Sequence, residues 1–227
     1  SIATVVSTRV LTPRRAIILA SSFNLLGALA GTAVAATIGK GLVDTNFVTT
    51  EVILYGLSAG IVWNLITWRL GLPSSSSHAL IGGLCGATIA NAANNWGVVI
   101  WSTFNETKGV YEGMIPKVII PMFVSPMMGF LMGFLVMGLL LFLLRKVRPV
   151  TVNRTFGKCQ ILSASWMAFS HGTNDAQKTM GIITLTLVTA TQSGVLEDLP
   201  ELLSFLHLEE FKTVPLWVKI TCAITMA

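Results

Sequence analysis

The chain has 227 residues, 53% of them hydrophobic and 11% charged, with a formal net charge of +5. Soluble domains carry about 25% charged residues, so the composition excludes an ordinary soluble globular protein. Several apolar runs approach the ~20 residues that span a bilayer as a helix, and the excess of positive charge reads as membrane topology rather than affinity for nucleic acid.

In chain order, the first residues are already apolar and β-branched, and no signal peptide is visible. Residues 16–38 form the first predicted span; Gly27 and Gly31 give it the small-xxx-small spacing of close helix contacts in lipid. Residues 52–69 form a second, ending on Trp68 and Arg69 as an interfacial anchor. Residues 78–101, rich in Gly, Ala and Asn, read as a span or as a re-entrant hairpin followed by a short crossing. Residues 116–145 form a long span interrupted by Pro121 and Pro126 and stopped by Arg145, Lys146 and Arg148. Residues 156–191 are apolar but broken near the middle by HGTND. An acidic loop follows at 193–214, and a final span begins at Pro215. That last segment is too short to cross, and the chain starts at Ser1, so the sequence reads as a fragment of a longer protein.

Basic residues favour the cytoplasmic side. Arg9, Arg14 and Arg15 mark one cytoplasmic loop, and Arg145, Lys146, Arg148, Arg154 and Lys158 mark another. Segment 16–38 then runs outward, 52–69 inward, 78–101 outward, 116–145 inward and 156–191 outward. Cys85, Cys159 and Cys222 are widely spaced, form no metal-ligand pattern and read as small packing residues.

Two polar segments stand out. Residues 170–181 (SHGTNDAQKTMG) put His171, Asn174, Asp175, Gln177 and Lys178 inside an apolar stretch. Ionisable groups within a membrane face a cavity, pair with each other or mark an ion path. Gly172 would let the helix break there, exposing N–H and C=O groups that bind ions. The plainer alternative is a structural Asp175–Lys178 pair at i, i+3. Residues 71–83 (GLPSSSSHALIGG) offer Pro73 at a helix boundary and Ser74, Ser75, Ser76 and Ser77 as N-caps. A helix starting here would aim bare N–H groups and hydroxyls at an anion; the alternative is a polar loop that merely caps a helix. His78 alone reads as a capping or packing residue.

Together the two segments resemble the inorganic phosphate transporter (PiT) family. The resemblance rests on Gly172, Asn174 and Asp175 as its G-x-N-D motif, and on Pro73, Ser75, Ser76 and His78 as its P-x-S-[ST]-x-H segment. The stretch 23–44 is similar to bacterial members. A first G-x-N-D motif is absent, and the second serine–histidine segment would lie beyond Ala227. The resemblance implies an all-α, polytopic transmembrane bundle with inverted-topology repeats, a broken helix and a re-entrant helical segment. Residues 1–148 would be the remainder of the first repeat and 149–227 the beginning of the second.

By the same resemblance the function is secondary active transport of inorganic phosphate with Na⁺ or H⁺, by alternating access at a midplane site. Phosphate would bind at Ser74, Ser75, Ser76, Ser77, Thr173 and Asn174. The coupling cation would bind at Asn174 and Asp175, which become metal ligands if the ion is Na⁺. His78, His171, Gly172, Gln177 and Lys178 would support the site, with Thr179 as a neighbour. No cofactor, no nucleic acid and no enzymatic activity are expected. The expected partners are phosphate, the coupling ion, the bilayer and, optionally, further copies in a homo-oligomer; the location is a bacterial inner membrane. A channel with a re-entrant pore loop is the main rival. An intramembrane hydrolase using a serine, His171 or His78, and Asp175 is a rival from another class, with no serine marked as the nucleophile. A structural subunit would explain the spans but not the polar clusters.

Overall fold

The computed structural model describes residues 2–106, 109–197 and 199–226, with only the backbone of Lys40. It is 74% helical. The helices are α1 (Ala3–Ser7), α2 (Pro13–Leu29), α3 (Ala33–Lys40), α4 (Thr50–Arg69), α5 (Ser76–Asn91), α6 (Ile120–Leu144), α7 (Pro149–Gln192) and α8 (Leu216–Met226). A short hairpin of β1 (Thr103–Asn105) and β2 (Val110–Glu112), in register at Phe104 and Tyr111, was not foreseen from the sequence.

The predicted break in 156–191 does not occur. α7 runs unbroken through HGTND for 44 residues. Gly172 serves a different purpose: a Cβ there would overlap the Asn24 carbonyl oxygen of α2, and one at Gly27 would overlap the Phe169 carbonyl oxygen of α7. The two glycines let the backbones of α2 and α7 touch, as small residues do at helix contacts in lipid. Thr173 reinforces the crossing, its hydroxyl lying 3.0 Å from the Gly27 carbonyl and 2.9 Å from that of Phe169. Asn24 meets Gly172 and Gly31 lies beside Gln177, so α2 and α7 run parallel, the direction the charge pattern gives them.

The break lies instead in the segment read as one span, 16–38. α2 stops at Leu29, and α3 restarts at Ala33 with a 62° bend. Gln177 explains why the restart is tolerated. Its side chain is buried, and Oε1 accepts a hydrogen bond from the Val34 N–H at 2.9 Å. Thr32 at the N-cap makes no side-chain cap of its own. An unpaired N–H away from water is costly, so a residue of α7 caps α3 across the bundle.

α4 and α5 form an antiparallel hairpin. Gly83 lies against Gly56, where a Cβ would overlap the Gly56 carbonyl oxygen. Gly71 (φ +67°) turns the chain between them. At the other end Val43 and Val99 bridge and close the base. That base sits in a core cluster formed by Ile38, Leu42, Ile53, Leu84, Ile182 and Leu185. A second cluster joins α2, α7 and α8 through Ala28, Ala176, Met180, Val218 and Cys222.

α6 is apolar all round and none of its residues is buried. Pro126 sits inside it without interrupting it, and Pro121 falls in its first turn. The irregularity that prolines bring appears just upstream, as a π-helical turn over Ile115–Ile119. By length and composition, Thr50–Arg69 and Ile115–Leu144 can each cross a membrane, as can the bent α2–α3 pair taken as one span.

Candidate functional site

The serine turn meets the middle of α7. Ser76 and Ser77 at the start of α5 share a cavity of about 280 Å³ with Asp175, Lys178 and Thr179. α4 supplies the third wall with Leu57, Gly60, Ile61 and Asn64.

Each wall has a local cause. Pro73 lies in the non-helical link before α5, and the Ser75 hydroxyl accepts from the His78 N–H at 3.3 Å, capping α5. One of the N–H groups at that end is therefore satisfied by the chain's own cap. Ser76 and Ser77 follow immediately, so their hydroxyls sit on the first turn of a 16-residue helix, at its positive dipole end. On α7, Asp175 accepts from Lys178 three residues on, and His171 Nδ1 lies 3.3 Å from its other oxygen, Oδ2. Both carboxylate oxygens are thus engaged within one turn on either side. The Asp175–Lys178 pair, the plainer alternative in the sequence, exists, and it lies in the cavity wall.

The sequence-predicted residues divide between this cavity and other places. Ser74, Ser75 and His78 open onto a separate groove with Trp63 and Pro73, across the hairpin from Asp175. Thr173 and Gly172 lie in the α2–α7 crossing. Gln177 caps α3. Asn174 is exposed and is not among the residues of the cavity wall. Among the described residues, no cluster of three His, Cys, Asp or Glu side chains forms a metal site.

Asn64 was missed. Its signal was in the sequence: it is a lone amide in an otherwise apolar stretch, and Leu57, Gly60, Ile61 and Asn64 follow the i, i+3, i+4, i+7 spacing of one helix face. The letters G-x-S-x-G occur at 56–60 (GLSAG). Ser58 there lies inside α4, not on the strand-to-helix turn that a nucleophile elbow requires.

A family model described as the phosphate transporter family matches residues 1–227. The chain belongs to this family. Relatives named "Probable low-affinity inorganic phosphate transporter" are 44% identical over 227 residues in Mycobacterium tuberculosis and 40% identical over 228 residues in Bacillus subtilis. Both matches take in 100% of this chain, which spans 48% and 60% of the two relatives. The low-affinity inorganic phosphate transporter PitA of Escherichia coli is 32% identical over 222 residues, 86% of this chain and 42% of the relative. The chain therefore spans about half the length of these relatives. A solved structure described as "The sodium-dependent phosphate transporter" superposes with a TM-score of 0.69 at 20% identity, covering 100% of this chain and 68% of that one. At that identity the likeness establishes the fold. As a phosphate transporter family member with membrane-spanning helices, the chain is part of a multi-pass membrane protein, and its named relatives are transporters rather than enzymes.

Proposed function

We propose that the protein to which this chain belongs carries inorganic phosphate across a bacterial inner membrane by symport, with alternating access around the cavity between the hairpin tip and α7. The observation that carries this reading is the meeting of Ser76 and Ser77 with Asp175 and Lys178 in one cavity wall. Hydroxyl donors, the α5 dipole, the Asn64 amide and the Lys178 ammonium suit an oxyanion. Asp175 does not, because a second negative charge in the same small space repels the first.

That conflict supplies the coupling. An anion and a neutralising cation that enter together cost less than either alone, and each raises the affinity for the other. In the empty site Lys178 neutralises Asp175. An arriving phosphate competes for Lys178, and the released carboxylate then needs a new partner. We read that partner as a proton. Once Lys178 turns to phosphate, only Oδ1 of Asp175 is freed while His171 stays on Oδ2, and a proton needs that single oxygen where a metal ion needs several. In this reading Ser76, Ser77, Asn64 and Lys178 hold phosphate, Asp175 and His171 handle the proton, and Ser74, Ser75 and His78 shape the turn.

The test is uptake of labelled phosphate by the full-length protein in proteoliposomes, with pH and Na⁺ gradients imposed separately. Saturable uptake driven by an inward proton gradient is expected. Uptake driven only by Na⁺ would replace the proton as the coupling ion, and non-saturating flux indifferent to both gradients would favour a channel.

A further inference from the structure

α6 and α7 diverge from a short link, Arg145–Arg148, and leave an apolar crevice of about 440 Å³ between the last turns of α6 and the first turns of α7. Its walls are Met137, Leu140, Leu141 and Leu144 on one side and Val152 and Phe156 on the other. Arg145 stands at its closed end, the end that the charge pattern assigns to the cytoplasm, with its guanidinium 4.8 Å from the centroid of the Phe142 ring. Lys146 and Arg148 complete the link, and Arg154 and Lys158 follow on α7. No acidic residue occurs between Lys117 and Asp175, and among the described residues none of these five cations is in a salt bridge.

Arg145 in the wall, with Lys146 and Arg148 beside it in the link, puts three cations outside any salt bridge at the closed end of an apolar slot, and these are poorly satisfied by another apolar helix. A helix laid into the slot would fill it and leave the charges unanswered. One molecule answers both halves: an anionic phospholipid, its acyl chain between α6 and α7 and its phosphate on the arginines. Basic pockets between transmembrane helices on the cytoplasmic side bind such headgroups, and each basic residue near the surface adds to the attraction. We propose that the α6–α7 crevice is a site for one anionic phospholipid, with Arg145 and Arg148 as the main headgroup ligands. The site is separate from the transport cavity and does not depend on the transport reading.

The test uses the full-length protein in mixed micelles with phosphatidylglycerol or phosphatidylcholine, and native mass spectrometry counts the bound lipid. Preferential retention of one phosphatidylglycerol is expected. Removing two surface cations in Arg145→Gln/Arg148→Gln lowers that preference by about thirtyfold. Val152→Trp, which fills the slot and leaves the charge unchanged, lowers retention of both lipids. Equal retention of the two lipids by the unaltered protein would overturn the proposal. So would phosphatidylglycerol retention that neither variant changes, which is the result expected if another part of the protein or a second copy fills the slot.

Discussion

Asp175 has a donor on each oxygen, one from each adjacent turn of its own helix. Such an arrangement can be structural, functional or both, and two substitutions separate these cases. Asp175→Asn leaves the Lys178 ammonium, a partly buried cation, without its counter-charge. If the pair serves only folding, adding Lys178→Met removes the stranded charge and restores both folded yield and uptake, because a removed pair is better tolerated than a broken one. If the pair also serves transport, Asp175 with the coupling proton and Lys178 with phosphate, the double variant recovers folded yield while phosphate uptake stays down by an order of magnitude or more. Uptake in proteoliposomes, normalised to folded protein from size-exclusion chromatography, reads the difference. We expect the second outcome; recovery of uptake in the double variant would return Asp175 to a structural role. The serines carry the same lesson at smaller scale. Four in a row look equivalent in the sequence, but each step along the backbone changes the direction of the side chain. Ser76 and Ser77 reach the cavity, while Ser74 and Ser75 open onto the groove behind it.

At the level of whole elements, composition made the order of the apolar segments readable, and the serine turn announced the start of α5. The position of the helix break was not readable. Glycine and polar residues in HGTND suggest a break, yet the same residue types also suit a tight helix crossing, and only the neighbouring helix decides between them. Gly172 faces the α2 backbone; nothing within α7 reveals that. The real break, after Leu29, is stabilised by Gln177, far away in the sequence. A local reading places Gln177 in the ion site because the partner that explains it, the Val34 N–H, cannot be seen from a distance of more than a hundred residues. The cap has a measurable worth. Gln177→Leu strands a partly buried N–H at a cost of about 1–3 kcal/mol, so amide exchange over residues 33–40 should quicken by about fivefold to 150-fold at 1.36 kcal/mol per factor of ten. Gln177→Glu keeps an acceptor at that point and should restore most of the protection. Unchanged exchange in the leucine variant would mean that α3 is held by its packing alone.

Across the whole molecule the open question is how deep the α4–α5 hairpin reaches. α4 alone is long and apolar enough to cross a membrane, and the sequence reading sends it across with Trp68 and Arg69 at the far surface. The hairpin tip, however, meets α7 at Asp175, equidistant along the helix from Lys158 and Gln192. Its base lies with Ile182 and Leu185, toward the end of α7 assigned to the outside. This placement favours a re-entrant α4–α5 pair, with its tip near mid-depth, over two full crossings. Replacing two opposite crossings by none leaves the direction of every other helix unchanged, so charge counting along the loops could not tell the two cases apart. Arg69 then becomes informative. It is exposed beside the tip, and a charge at that depth must face water, so a hydrated vestibule has to reach the tip from the cytoplasmic side. Accessibility of a thiol at the turn follows from this. In full-length protein with its native cysteines replaced, Leu72→Cys should react readily with a small charged methanethiosulfonate from the cytoplasmic side. With a bulky membrane-impermeant maleimide it should react at least an order of magnitude more slowly than Lys146→Cys in the α6–α7 link. A hairpin that crosses completely would expose position 72 to bulk solvent and give equal rates with both reagents.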